Sequence, residues 1–192
     1  MQTRTPRTRL AETFLRELTA TGGVGVELDE EERIVDYVVQ RCLEHKASSA
    51  VRANRQLLAD LEIDAALRAA GISIHVDSEG KMTKEALSKA DVGIVEADVA
   101  VAESGTVAFV TTHEADRLLS CLPSILISLV RRSNLVRSLE EAFAFIQRAT
   151  AGQQQHVISL VTGPSQTGDI GLTLVKGAHG PRIVCCIIHG GK

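Results

Sequence analysis

Two rhythms of apolar residues alternate along this chain. In "LAETFLREL", Leu10, Phe14 and Leu18 fall four apart, which predicts an amphipathic helix ended by the glycines of "TGGVG". In "DEEERIVDYVVQRCLEH", Ile34, Val35, Val38, Val39 and Cys42 return at helical spacing, with Asp29 as the expected N-cap and Glu32 at N3. "LLADLEIDAALRAAG" predicts one helix closed by Gly71, and "TKEALSKA" a short one. Between these lie strand-like runs: "SSAVRAN", "ISIHVD", "DVGIVEAD" and "PSILISLV". "VAVAESGTVAFVTT" is two apolar runs about Ser104 and Gly105, the pattern of an antiparallel hairpin. Ser138 with Glu141 forms a capping box for "LEEAFAFIQRAT". The last third predicts a strand over 156–162, a short helix over 167–175 and a strand over 182–188. Strands apolar on both faces and alternating with helices indicate a mainly parallel sheet covered by helices, carrying one β-hairpin.

Length and composition narrow the class. With 192 residues, 44% hydrophobic and 23% charged, the chain makes one soluble α/β domain over 26–192, preceded by a loosely attached helical arm over 1–25. It folds on its own or with copies of itself, so a homo-oligomer is compatible with the pattern. A net charge of −3 and a pI near 6.1 provide no basic field, which excludes nucleic acid as the expected partner. "MQTRTPRTRL" is basic, but no apolar segment of a secretory signal follows, and no run of about 18 apolar residues predicts a membrane span. The expected location is the cytoplasm. Cys42, Cys121, Cys185 and Cys186 form no C-x-x-C pair and sit mostly in apolar runs, so no metal and no cofactor is expected in this chain. Any iron–sulfur cluster that its chemistry needs sits on a partner.

Candidate chemistry gathers at three places. "VISLVTGPSQTGDI" runs from a strand through Gly163 into the expected helix, and a strand–glycine–helix junction presents backbone N–H groups to an anion. There Ser165 and Thr167 add hydroxyls, Gly163 allows close approach, and Asp169 accepts from a ligand hydroxyl or caps the helix. A tight turn with an N-cap accounts for the same residues. In "KGAHGPR", Gly177 suits a helix C-terminus, and His179 stands between glycines, able to bind an anion, move a proton or merely cap carbonyls. "EADVAVAESGTVAF" brings Glu96, Asp98 and Glu103 together, and Glu103, Ser104, Gly105 and Thr106 either line a pocket or simply turn the chain. Arg117 can meet a substrate carboxylate or a surface acid. G-x-S-x-G, P-loop and G-x-G-x-x-G motifs are absent, which disfavours a serine hydrolase and a Walker-type NTPase, and "GGVG" near residue 22 is a poor nucleotide fingerprint.

In order, "ADVGIVEADVAVAESGTVAFVT", "RLLSCLPSILISLV", "TGPSQTGDI" and "LVKGAHGPR" resemble the LUD domain family, to which lactate utilization subunits belong. The resemblance implies a Rossmann-like three-layer α/β/α sandwich of the NagB/RpiA/CoA transferase group. It also implies part in an electron-transferring complex that oxidises L-lactate to pyruvate, with iron–sulfur clusters on partner subunits; the strand–glycine–helix junction adds the expectation of a small anionic ligand at the carboxyl edge of the sheet. By motif position the resemblance carries over Glu103 and His179 as catalytic candidates. As ligand-binding candidates it carries over Ser104, Gly105, Thr106, Gly163, Ser165, Thr167, Asp169, Gly177 and Gly180. The family pattern is closer to "SKTADIE" where this chain has "SQTGDIG", so roles needing a base at Gln166 or an acid at Gly171 are not expected. Two other functions fit the same residues. One is a self-contained enzyme of the fold group, either CoA transferase-like with Glu103 as nucleophile or 5-formyltetrahydrofolate cyclo-ligase-like. The other is a noncatalytic ligand-binding regulatory module.

Overall fold

A computed structural model describes residues 6–77, 82–112, 114–152, 156–168, 174–176 and 180–190. Helix α1 (Pro6–Ala20) leads into β1 (Val24–Glu27), α2 (Glu31–Glu44), β2 (Ser49–Ala53), α3 (Gln56–Asp60), α4 (Ile63–Ala69) and β3 (Ser73–Asp77). Then follow α5 (Lys84–Lys89), β4 (Val92–Ala97), β5 (Val99–Val101), β6 (Thr106–Thr111), α6 (Glu114–Leu119) and β7 (Ile125–Arg131). A 3₁₀ turn (Arg132–Asn134) precedes β8 (Leu135–Val136), α7 (Leu139–Ala149), β9 (Val157–Val161), β10 (Gln166–Gly168), β11 (Leu174–Lys176) and β12 (Ile183–His189).

Six strands form one parallel sheet in the order β1-β12-β7-β4-β2-β3, flanked by helices, as the apolar runs predict. Its central strands are buried on both faces: Ile94, Ile127, Leu129, Cys186 and Ile187 are fully inaccessible. Each such side chain contributes roughly 1.5–3 kcal/mol of burial free energy. The predicted hairpin forms from β5 and β6 and nucleates a second sheet, β8-β5-β6-β9. Its two faces have different fates. Val99, Val101 and Ala108 pack under Ala142 and Ile146 of α7, while Ala100, Val107 and Phe109 join the main core.

Several expectations are corrected. The segment 157–161 does not enter the main sheet; β9 pairs antiparallel with β6 at the rim of the second one. Of the helix expected over 167–175, the described residues belong to an antiparallel strand pair instead, with Thr167 opposite Val175. Two glycines, Gly168 and Gly171, in so short a span remove the nucleation that a nine-residue helix would need, by about 1 kcal/mol each. The predicted helix ending at Gly71 is two, broken where Glu62 adopts a left-handed φ of 52°. Asp29 is not the N-cap of α2: Glu30 occupies that position, and the Asp29 carboxylate accepts from Arg132 Nη2 at 2.7 Å. The N-terminal helix is anchored rather than loose, because Ala11, Phe14 and Leu18 are buried in the main core. Among the described residues no helix is long and apolar enough to cross a membrane.

Candidate functional site

The loops singled out in the sequence do converge. Ser165 N donates to Pro181 O at 2.8 Å, and Gly180 lies against the Ser165 side chain. The hydroxyls of Ser104 and Thr106 are 2.7 Å apart, and those of Thr106 and Thr162 2.6 Å, tying the β5–β6 turn to the end of β9. They converge, however, at the amino edge of the main sheet, since Pro181 precedes β12 and Cys121 precedes β7, and not at the carboxyl edge where an anion pocket is expected. The residues expected to open that helix are strand β10 here, paired antiparallel with β11.

The glycines of this region face protein. At Gly105 (φ +63°) a Cβ would lie 2.2 Å from Leu18 N, and at Gly163 (φ +69°) 2.4 Å from Thr21 Oγ1. These positions allow the close approach of Leu18 in α1 and of Thr21 just beyond it. An open cleft of about 590 Å³ runs beside them, lined by Thr21, Cys121, Gly163, Ser165, Gln166 and Gly180 among others. Glu103 is committed elsewhere: its Oε1 accepts from Leu139 N at 2.9 Å, capping the first turn of α7 beside Ser138, whose Oγ accepts from Glu141 N. Thr167 places its backbone in β10. Asp169, Gly177 and His179 lie outside the described residues. Arg117 pairs with Glu114 at the surface, 3.2 Å away.

At the opposite, carboxyl edge, strand order creates a crevice. After β2 the chain moves outward to β3, whereas after β4 it moves the other way to β7, so the neighbours β2 and β4 form a topological switch point. Ligands of open α/β sheets bind at such points. A cavity of about 470 Å³ opens there, lined by Asn54 and Arg55 after β2, Asp98 after β4, Thr111 of β6, Asn134 and Phe145 of α7 among others. Arg55 is held loosely: its Nη2 is 3.4 Å from Val110 O and 3.7 Å from Asp98 Oδ1. Asp98 is fixed more firmly, with Oδ2 accepting from Val110 N at 2.7 Å and its carbonyl accepting from Asn134 Nδ2 at 2.9 Å. Burial pushes the Asp98 carboxyl above the ordinary carboxylate range, opposed by the Val110 amide and the Arg55 guanidinium. Thr111, 6% exposed, has a buried hydroxyl with no hydrogen-bond partner among the described residues. Such a group normally has one.

The sequence pointed at Asp98 but missed Arg55, Thr111 and Asn134. The available signal was polar residues directly after apolar strand runs, as in "AVRANR".

The other half of the carboxyl edge is closed by ion pairs. Arg132 donates to Glu27 at 2.6 Å and to Asp29 at 2.7 Å, and Arg131 pairs with Glu96 at 3.3 Å. Beneath them His189 is buried, and burial with the nearby Arg131 and Arg132 holds its imidazole below the ordinary value. Cys42, Cys185 and Cys186 are core thiols, pushed up by burial to about 12, 11 and 12.

A model of the LUD domain matches residues 6–189. Lactate utilization protein C of Shouchella clausii is 34% identical over 122 residues, which cover 63% of this chain and 53% of that protein. Lactate utilization protein C of Halalkalibacterium halodurans is 29% identical over 163 residues, covering 84% of this chain and 70% of that protein. The chain thus spans about half the length of the first relative and more of the second. The fold is similar to the crystal structure of a DUF162 family protein from Deinococcus radiodurans, with a TM-score of 0.63 at 19% identity over 97% of this chain and all of that one. With nearly its whole length matched by the family model and the parallel sheet in place, the chain belongs to the LUD domain family.

Proposed function

We propose that this chain is a subunit of a cytoplasmic L-lactate oxidation system whose partner subunits hold the iron–sulfur clusters, and that its switch-point pocket receives the small carboxylate. The relatives named Lactate utilization protein C support the pathway. The observation that carries the site is Arg55. Its guanidinium stands at the carboxyl edge with long contacts of 3.4 and 3.7 Å, so its planar fork of donors is available to a carboxylate. The unpartnered Thr111 hydroxyl offers a further donor or acceptor in the same cavity. This chain binds the ligand, and oxidation belongs to the assembled complex.

Calorimetric titration of the purified chain with L-lactate and with pyruvate tests the site. We expect saturable binding that Arg55→Ala weakens by about tenfold or more, the loss of a charge-assisted hydrogen bond at about 1.5–3 kcal/mol. No binding, or binding indifferent to Arg55→Ala, refutes the site. Affinity purification of the chain from its native host tests the assignment to a complex, which fails if no subunit with bound iron and sulfide accompanies it.

A further inference from the structure

The switch-point pocket contains its own anion. Asp98 N donates to Ala108 O at 2.9 Å, its carbonyl accepts from Asn134 Nδ2, and Oδ2 accepts from Val110 N. Backbone and one carboxylate oxygen are therefore fixed. Oδ1 alone is left facing Arg55, at 3.7 Å, a distance of charge attraction rather than hydrogen bonding. Among the described residues, Arg55 is the cation of the pocket lining. Among the described residues the charged groups lining the pocket with Asp98 are Arg55, from the junction of β2 and α3, and Asp116, from α6, while β6, the 3₁₀ turn and α7 contribute neutral groups such as Thr111, Asn134 and Phe145. An entering carboxylate must use the guanidinium that Asp98 already faces. Two carboxylates sharing one cation in a half-buried space disfavour each other's charge.

Resting on the assignment of this pocket as the anion site, we propose that Asp98 is a built-in competitor for Arg55: an anion that enters takes the guanidinium, and the Asp98 carboxylate takes up one proton from solvent. The charge of the pocket is then the same before and after binding. Burial, which already pushes the Asp98 carboxyl up, supports the exchange, because the departure of Arg55 removes one of the influences holding it down. The linkage has a definite sign. Binding raises the affinity of Asp98 for a proton, so the ligand binds more tightly as pH falls through the range just above the ordinary carboxylate value.

The experiment uses the whole chain, with L-lactate as probe, over roughly pH 5 to 8, where the ligand stays ionised. In wild type the dissociation constant should rise with pH by up to about tenfold per unit within the linkage window. Titrations at one pH in buffers of different ionisation enthalpy should show net proton uptake approaching one per ligand in that window. Asp98→Asn keeps an oxygen for Val110 N, so it should fold. It should bind several-fold more tightly at neutral pH, take up no proton and lose the pH dependence. If Arg55→Ala abolishes binding while Asp98→Asn leaves affinity and proton uptake as in wild type, the competitor role is overturned and the pocket stands. If Arg55→Ala has no effect, or wild type binds no L-lactate, the assignment of the pocket falls and the competitor role falls with it.

Discussion

Gly105→Ala separates packing from ligand binding at the Glu103–Thr106 turn. Gly105 has φ +63°, and a Cβ there would lie 2.2 Å from Leu18 N, 2.5 Å from Leu18 Cα and 2.7 Å from Glu17 C. These are backbone atoms of α1, a helix held by the fully buried Phe14 and the nearly buried Leu18, so no rotamer change relieves the overlap. Left-handed backbone costs alanine about 1 kcal/mol, and forcing a methyl into packed structure costs roughly 1–3 kcal/mol more. The expected loss is about 3 kcal/mol, a fall in Tm of roughly 6–12 °C for a chain of this size. Gly71→Ala is the control: φ is +80° and nothing lies within 4 Å of a Cβ, so strain alone, about 1 kcal/mol, should appear. Urea unfolding of both variants, read as midpoints at unchanged m-value, gives the comparison. If Gly105→Ala costs no more than Gly71→Ala, the seating of this turn on α1 is wrong. Below its Tm, Gly105→Ala should bind L-lactate as wild type does, whereas a ligand-holding turn would lose affinity.

Two further expectations concern buried charge. Arg52, 8% exposed, donates through Nε and Nη2 to both oxygens of Asp64, so Asp64→Ala strands a buried guanidinium and should cost about 3 kcal/mol in chemical unfolding, while a loss under about 0.5 kcal/mol would contradict the pairing. His189 binds its proton less readily folded than unfolded, because burial, Arg131 and Arg132 hold the imidazole below its ordinary 6.5. Its contribution to stability is therefore complete above that value and is lost as pH falls below it. His189→Asn should flatten the fall in urea midpoint between roughly pH 7 and pH 5.5; an unchanged slope would show that His189 does not cause it.

Much of the fold was legible because its signals are local. The box of Ser138 and Glu141, the β5–β6 hairpin and the doubly apolar strands each state their structure within a few residues. What was missed depends on distant partners. Asp29 is as good an N-cap as its neighbour, but Arg132 claims its carboxylate from across the sheet edge. β1 hides in a glycine-rich stretch and becomes a strand through parallel pairing with β12.

The same distinction governs the site. A glycine needed so that another backbone can approach is indistinguishable, in one sequence, from a glycine needed so that a ligand can. Gly105 and Gly163 read as a cradle in the sequence, and in the fold Leu18 of α1 and Thr21 lie close against them. Conversely, Arg55 carried no motif. Its significance comes from β2 and β4 being neighbours whose connections depart in opposite directions, and the alternation of helices and strands does not encode that order. Polar residues immediately after buried strands were visible all along; only strand order makes Asn54, Arg55 and Asp98 the walls of one cavity. Of the residues that the sequence presents as unusual, Glu103 caps α7, and Gly105 and Gly163 lie against Leu18 and Thr21. Ordinary-looking strand ends line the switch-point cavity, because in a parallel sheet the position of a crevice is a property of topology before it is a property of motif.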